Sequence, residues 1–219
     1  MEHDIWTFGN APENKKYKWE TYFRDLPEEI RSELQMDEVG SYSITDMKSA
    51  DQISKLIIKI LNTNNATVLD LCAGIGGNTI SFAKYFTHVT AVEVSLIRCQ
   101  ILEHNLNLLE LHKNVDIVNE NLCSIIDYLL FYDVIFIDPP WGGIDYKNYE
   151  TIDICINENI SFAEVCCRLS LHTKMVVLKL PVNFNLEKFR RDTIDSVEII
   201  YTTLKIRKML VIVLRSLYV

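Results

Sequence analysis

The alternation of short β-branched runs with helical patterns, which begins near residue 65, constrains the fold of this chain most strongly. Strands are expected at 66–71, 88–94, 115–119, 132–138, 174–180, 197–202 and 208–214. Helices are expected at 79–86, from Ser95 to about Leu109, and at 160–170. Because regular alternation of this kind gives parallel strands with helices on both faces, we predict an α/β fold with a doubly wound, seven-stranded, mostly parallel sheet.

The first 60 residues do not follow this pattern. They are charged and aromatic, and the turn at 25–29 precedes a helical run. We predict that residues 1–45 form a helical N-terminal extension packed on the core. Residues 46–219 then form the α/β domain, which begins with a helix at 46–61.

Composition excludes several classes of protein. A chain of 219 residues can form one sizeable domain, and no apolar run approaches the ~20 residues that span a bilayer. The net charge of −8 argues against coating long nucleic acids. It leaves room for a small anion at a local basic cluster, either Lys15, Lys16 and Lys18 or Lys205, Arg207 and Lys208. The six cysteines form no CxxC pair, so we expect reduced thiols and no metal site.

A glycine-rich turn gives the first indication of a ligand. The run from Asp70 to Asn78 ends a strand, turns through Gly74, Gly76 and Gly77, and starts a helix. Such a turn brings backbone N–H groups close to a ligand. Glu93 ends the second strand roughly 20 residues later, where a carboxylate can accept from both ribose hydroxyls of a nucleoside cofactor.

The identity of that cofactor follows from two residues. Thr79 stands where the dinucleotide fingerprint GxGxxG has its third glycine, so that fingerprint is incomplete. Asp70 would repel a pyrophosphate but suits an amino-bearing ligand. We therefore predict S-adenosylmethionine, with S-adenosylhomocysteine as product. The alternative is that Asp70 and Glu93 only cap loops.

The run Asp138-Pro139-Pro140-Trp141 follows the fourth strand, at the carboxyl edge where open α/β sheets bind ligands. The two prolines lack N–H groups, so the flanking carbonyls face outward as acceptors. A carboxylate, carbonyls and a flat indole suit a planar base with an exocyclic amine, and stacking contributes ~1–3 kcal/mol per base. We predict that Asp138, Pro139 and Trp141 position the amine for methylation.

Longer strings of residues carry a family resemblance. Pro139-Pro140-Trp141-Gly142-Gly143-x-Asp145-Tyr146, with the run from Gly74 to Ile80, resembles the trimethylguanosine synthase family of RNA cap methyltransferases. Further matches are Ser43-Ile44-Thr45, 150–154 and Leu180-Pro181. The resemblance implies a class I methyltransferase that acts on the exocyclic N2 of the m7G cap, giving the 2,7-dimethyl or 2,2,7-trimethyl form. It implies m7G-capped small nuclear or nucleolar RNA as partner, with m7GTP or m7GDP as minimal substrate.

The resemblance also implies a set of site residues. Cofactor binding falls to Thr45, Asp70, Cys72, Ala73, Gly74, Gly76, Asn78, Thr79, Glu93, Val94, Asn121, Leu122 and Asp138. Substrate binding falls to Lys16, Lys18, Asn105, Trp141, Tyr146 and Lys179. Trp141 would stack on the m7G base, and its indole would prefer that base because methylation at N7 makes the ring cationic.

Two positions depart from the family, and they keep alternatives open. The family usually has Ser at the position of Asp138, and Arg at the position of Val182. Lys16 or Lys18, Tyr146 and Lys179 would then contact the cap phosphates. Asp138 also favours a second hypothesis, that the protein is an N2-guanine or N6-adenine methyltransferase acting on internal positions of RNA or DNA. A third hypothesis is a catalytically silent cap-binding module. We expect a monomer in the nucleus, with the cytoplasm as the alternative location.

Overall fold

A computed structural model of the chain describes residues 4–156, 160–202 and 209–218. The basic cluster Lys205, Arg207 and Lys208 lies outside the described residues. Within them, seven strands form one sheet in the order β3-β2-β1-β4-β5-β7-β6. Their bounds are β1 Thr67–Asp70, β2 His88–Val92, β3 Val115–Val118, β4 Tyr132–Ile137, β5 Thr173–Pro181, β6 Val197–Thr202 and β7 Met209–Ser216.

The sheet is mostly parallel, as the sequence predicts. β4 pairs in parallel with β1 and with β5, and β2 pairs in parallel with β3. β7 lies between β5 and β6 and is antiparallel to both. In the register of β4 and β5, Ile137 is opposite Leu178, so these two strands end side by side.

The helices confirm the main sequence predictions for the domain. Asp46 caps α4 by accepting from the N–H of Ser49, and Ser95 caps α6 at the N–H of Arg98. Pro27 precedes α2, as the predicted turn requires. The bounds are α1 Tyr17–Tyr22, α2 Glu28–Glu33, α3 Glu38–Ser43, α4 Met47–Leu61, α5 Gly77–Tyr85, α6 Leu96–Leu108, α7 Leu122–Ile125, α8 Phe162–Ser170 and α9 Leu186–Thr193.

The chain divides into two compact units. The first unit is Met1–Ala66 with Cys72–Asn121, and the second is Thr67–Leu71 with Leu122–Val219. In the first unit, the N-terminal segment shares a buried apolar cluster with the glycine-rich turn and α6. Its buried members are Ala11, Trp19, Phe23, Leu34, Met36, Ile75 and Ile101. The boundary at residue 45 stays a prediction.

Three further features bear on the function classes considered above. In the part of the chain that the structure describes, no helix combines the length and apolar character needed to cross a membrane. The described residues also hold no cluster of His, Cys, Asp or Glu arranged to bind a metal ion. All six cysteines are free; Cys99 and Cys166 are buried, whereas Cys155 is exposed.

Candidate active site

The glycine-rich turn of the first unit is shaped by two left-handed glycines. Gly74 has φ +56° and donates its N–H to Glu93 Oε2 at 2.9 Å. A Cβ at Gly74 would meet nothing within 4 Å, so open space adjoins the backbone there. At Gly76, φ is +100° and a Cβ would lie 2.5 Å from Leu102 Cδ1 of α6. Gly76 therefore allows close packing, and Gly74 leaves space for a ligand.

The start of α5 lies directly against Thr45. A Cβ at Gly77 would be 2.7 Å from both the backbone N and the backbone O of Thr45. Asn78 Nδ2 donates to Thr45 Oγ1 at 3.0 Å. Asn78 Oδ1 is buried and has no hydrogen-bond partner among the described residues. Because buried polar atoms are nearly always paired, this oxygen fits an amino group such as that of S-adenosylmethionine.

Glu93 directly follows β2, and its side chain is buried. Its Oε2 accepts from Gly74, while Oε1 accepts from the N–H of Ser95 at 2.9 Å and from Arg98 Nε at 3.0 Å. A carboxylate offers about four acceptor positions, so these three donors leave room for one more. Glu93 can thus accept from one ribose hydroxyl directly, and binding both would displace a protein donor. Sequence reasoning missed Arg98, which lies five residues further on.

The remaining predicted cofactor residues differ in exposure. Buried members are Asp70, Ala73, Thr79 and Leu122, and exposed members are Val94 and Asn121, with Cys72 half-buried. Val94 is 61% exposed directly after Glu93, where an apolar side chain can pack on a ligand ring. The contacts of these residues with the cofactor remain predictions.

In the second unit, Asp138 follows β4 and forms an ion pair with Lys179 of β5. The side chain of Lys179 is 3% exposed and that of Asp138 is 13% exposed. Burial raises the pKa of the Asp138 carboxyl above its usual range, and the Lys179 ammonium opposes that shift. Burial thus disfavours the charged form of this carboxyl, and the buried Lys179 ammonium favours it.

Trp141 joins this pair to an aromatic neighbour. Lys179 Nζ lies 5.1 Å from the centroid of the Trp141 ring, and Tyr146 meets Trp141 edge to face with centroids 5.1 Å apart. Trp141 Nε1 is buried without a hydrogen-bond partner among the described residues. Asn183 Nδ2 donates to the backbone oxygens of Tyr146 and Tyr149 at 2.9 and 2.8 Å, which anchors the loop after Trp141.

Two predicted substrate residues have other roles in the structure. Lys179 is buried in its ion pair with Asp138, and its contact with the cap phosphates stays a prediction. Asn105 is fully buried, and its carboxamide bonds the backbone N and O of Gln35 and the O of Ile75. The predicted contact of Asn105 with guanine therefore has no support, and this residue instead ties the glycine-rich turn to the N-terminal segment.

The N-terminal lysines are half-buried and have local partners. Lys16 pairs with Glu13 at 2.8 Å. Lys18 Nζ lies 5.0 Å from the ring centroid of Tyr17 and 5.2 Å from that of Tyr22. Burial lowers the pKa of Lys18, but hydrogen bonds to the two tyrosines outweigh it and the net shift is upward. The Lys18 ammonium is therefore charged, and the contact of both lysines with phosphates remains a prediction.

Comparison with solved structures identifies the fold. The chain matches a TehB-like SAM-dependent methyltransferase from Corynebacterium glutamicum with TM-score 0.54, 10% identity and coverage of 77% of this chain and 87% of that one. It matches a 16S rRNA N2 methyltransferase from Thermus thermophilus, solved with AdoMet and guanosine, with TM-score 0.59 and 16% identity, over 80% of this chain and 44% of that one. The fold is that of a class I S-adenosylmethionine-dependent methyltransferase.

Sequence comparison gives the family. The model of the RNA cap guanine-N2 methyltransferase family matches residues 65–212, and the chain belongs to that family. It is 36% identical over 177 residues to an uncharacterised protein of Acanthamoeba polyphaga mimivirus, covering 78% of this chain and 62% of that one. It is 30% identical over 117 residues to trimethylguanosine synthase of Schizosaccharomyces pombe, covering 51% and 48%. The chain thus spans about half to three fifths of these relatives.

Proposed function

We propose that this protein transfers methyl groups from S-adenosylmethionine to the exocyclic N2 of the m7G cap of RNA. The product is a 2,7-dimethyl- or 2,2,7-trimethylguanosine cap. The observation that carries the proposal is the cluster of Asp138, Trp141 and Tyr146 directly after β4. It combines an acceptor for an amine with an aromatic surface for a base, within a family defined by guanine-N2 methylation.

The bound cofactor supplies an electrophilic methyl group on its sulfonium. The protein's own residues bind and orient the two reactants. In the first unit, Gly74, Asn78 and Glu93 offer an open backbone, an orphaned acceptor and a carboxylate with spare acceptor capacity. In the second, Asp138 and the carbonyl of Pro139 accept hydrogen bonds from the N2 amine. These bonds direct the nitrogen lone pair toward the methyl group of the cofactor, which is catalysis by positioning.

The proposed preference of the site for m7G over guanine depends on the positive charge of the methylated ring. Methylation at N7 makes guanine cationic, and a cation over an indole gains ~0.5–1 kcal/mol when exposed and ~2 kcal/mol when desolvated. Trp141 already has one cation, Lys179 Nζ, 5.1 Å from its ring centroid. The charge of Lys179 is offset by its ion pair with Asp138, so the indole still supports a preference for m7G over guanine.

A second candidate function is methylation of internal N2-guanine or N6-adenine in RNA or DNA. The carboxylate at Asp138 favours it, and one structural neighbour is named for 16S rRNA N2 methylation. The net charge of −8 weighs against it, because binding to a long nucleic acid depends on phosphate contacts. The silent cap-binding module is a weaker candidate, because such a reader has no need for the cofactor residues.

The cellular setting is part of the proposal. Curated relatives named trimethylguanosine synthase occur in two yeasts. We propose that this protein acts as a monomer in the nucleus on capped small nuclear or nucleolar RNA. The domain that does so is 46–219, and residues 1–45 contribute Lys16 and Lys18 at the cap phosphates.

The test is methylation of m7GDP, GDP and adenosine with labelled S-adenosylmethionine, followed by mapping of the methylated atom. We expect methylation at N2 of m7GDP, at least ~10-fold faster than of GDP. Trp141→Ala should abolish transfer. Trp141→Phe should retain activity with a smaller m7G-to-G ratio, because phenyl binds cations less strongly. Equal methylation of GDP, or methylation of adenosine N6, would favour the internal-base candidate.

A further inference from the structure

Two Asp–Lys pairs join β4 to β5, one at each end of these strands. Asp133 and Lys174 pair at 2.5 Å near the start of the strands, where the Lys174 side chain is 59% exposed. Asp138 and Lys179 pair beside Trp141, where both side chains are almost buried. An exposed pair costs the fold little, whereas a buried pair requires desolvation of two charges. Two hydrophobic side chains would hold β4 and β5 together equally well, so stability does not explain the buried ion pair.

We propose that Lys179 is a positioning residue. It keeps the Asp138 carboxylate ionised and oriented, so that Asp138 accepts a hydrogen bond from the guanine N2 amine. This inference rests on the proposed function. The ammonium of Lys179 binds Asp138 Oδ2. The ion pair restrains the carboxylate, and we expect its second oxygen, Oδ1, to accept a hydrogen bond from the substrate amine.

The ionisation state decides whether Asp138 can do this. A carboxylate only accepts hydrogen bonds, whereas a carboxylic acid also donates one and would oppose the amine hydrogens. Burial favours the neutral acid, and it already raises the pKa of Asp138 in the presence of Lys179. Removal of the Lys179 charge would raise the pKa of Asp138 further, so that the neutral acid form would persist to higher pH.

The other titratable groups near Asp138 do not replace Lys179. Tyr146, from the turn after Trp141, is neutral at physiological pH, because burial and the charge of Asp138 raise the pKa of its hydroxyl. From the neighbouring strand, β1 ends at Asp70, opposite Phe136. A second carboxylate cannot stabilise the charge of Asp138. Among the described residues around Asp138, Lys179 is therefore the cation that keeps it ionised.

The experiment measures kcat/KM for m7GDP against pH in four proteins. These are wild type, Lys179→Met, the double variant Asp138→Ser with Lys179→Met, and the control Lys174→Met. We expect Lys179→Met to be at least ~10-fold slower than wild type at neutral pH, since one pKa unit is a tenfold change. Its activity should recover as pH rises and Asp138 ionises. The double variant has the family's usual serine and no charge, so it should exceed Lys179→Met at neutral pH and show no such rise. Lys174→Met should match wild type.

The outcomes separate the two proposals. If wild type methylates no guanine substrate, the proposed function fails. If wild type is active and Lys179→Met matches it at every pH, the positioning role is overturned. If Lys179→Met does not fold, as circular dichroism would show, Lys179→Gln replaces it in the same assay. Low activity at neutral pH that recovers at alkaline pH supports the role of Lys179, and a wild-type pH profile overturns it.

Discussion

At the scale of single residues, Glu93 holds the glycine-rich turn in place. Its carboxylate accepts from Gly74, Ser95 and Arg98. Glu93→Ala removes the acceptor of all three donors and of the ribose. Each buried donor left unpaired costs ~1–3 kcal/mol, so we expect S-adenosylmethionine affinity to fall by roughly 10- to 100-fold, as measured by isothermal titration calorimetry.

A matched control for Glu93 lies on the following helix. Glu103 is an exposed acid on α6, and Glu103→Ala removes the same charge without touching the turn. Its affinity for S-adenosylmethionine should equal that of wild type. Equal affinity in Glu93→Ala would contradict the assigned role of this residue, and equal losses in both variants would indicate a general charge effect.

The same scale shows which residues the sequence could identify. Gly74, Glu93 and Trp141 lie in local motifs whose spacing carries their meaning, so they could be selected without a structure. The roles of Asn105 and Lys179 depend on distant partners. Asn105 bonds to Gln35, 70 residues away, and Lys179 pairs with Asp138, 41 residues away. No local pattern encodes such a pairing, so these two contacts could not be predicted from the sequence.

At the scale of elements, the contact between α5 and the residues before α4 depends on Gly77. A Cβ at this position would lie 2.7 Å from the backbone N and O of Thr45. Backbone atoms cannot yield as a flexible side chain does, so Gly77→Ala must shift the start of α5. We expect a loss of ~1–3 kcal/mol in the free energy of unfolding, with weaker cofactor binding, measured by urea denaturation and calorimetry.

Gly9 provides the comparison for this substitution. A Cβ at Gly9 would meet only Thr7 Oγ1, at 3.9 Å, which is ordinary van der Waals contact. Gly9→Ala should therefore change the free energy of unfolding by less than ~0.5 kcal/mol. If Gly77→Ala instead proved as stable as Gly9→Ala and bound the cofactor normally, that result would contradict the claim that the close contact of α5 with Thr45 requires glycine at this position.

Element type and order were predictable because periodicity and capping are local. The Ser95 cap, the helix from residue 47 and the parallel strands all follow from such signals. The position of β7 between β5 and β6 was not predictable from the sequence, because strand order depends on tertiary packing. The short helices α3 and α9 were also missed, because six to eight residues carry too little periodicity.

At the scale of the whole molecule, the N-terminal segment is part of the structure that supports the cofactor site. Trp19, Phe23, Leu34 and Met36 share a buried cluster with Ile75 of the glycine-rich turn and Ile101 of α6. Asn105 adds hydrogen bonds from α6 to Gln35 in the same region. The charged, aromatic character of the segment made it resemble an appendage, but its apolar side chains complete a core that the turn needs.

This shared core makes Trp19 a test of whether the N-terminal segment and the cofactor turn unfold together. The Trp19 side chain is fully buried, and its Nε1 donates to the backbone O of Leu34 at 2.8 Å. Trp19→Ala should cost ~3–5 kcal/mol in the free energy of unfolding, because it leaves a cavity and an unpaired carbonyl. Cofactor affinity should fall as well, because Ile75 loses packing in the same cluster.

Tyr17→Ala, on the same helix but 54% exposed, should change stability by less than ~0.5 kcal/mol. If urea denaturation of Trp19→Ala showed loss of the N-terminal segment alone, with the turn still binding S-adenosylmethionine at wild-type affinity, the segment would be an independent appendage.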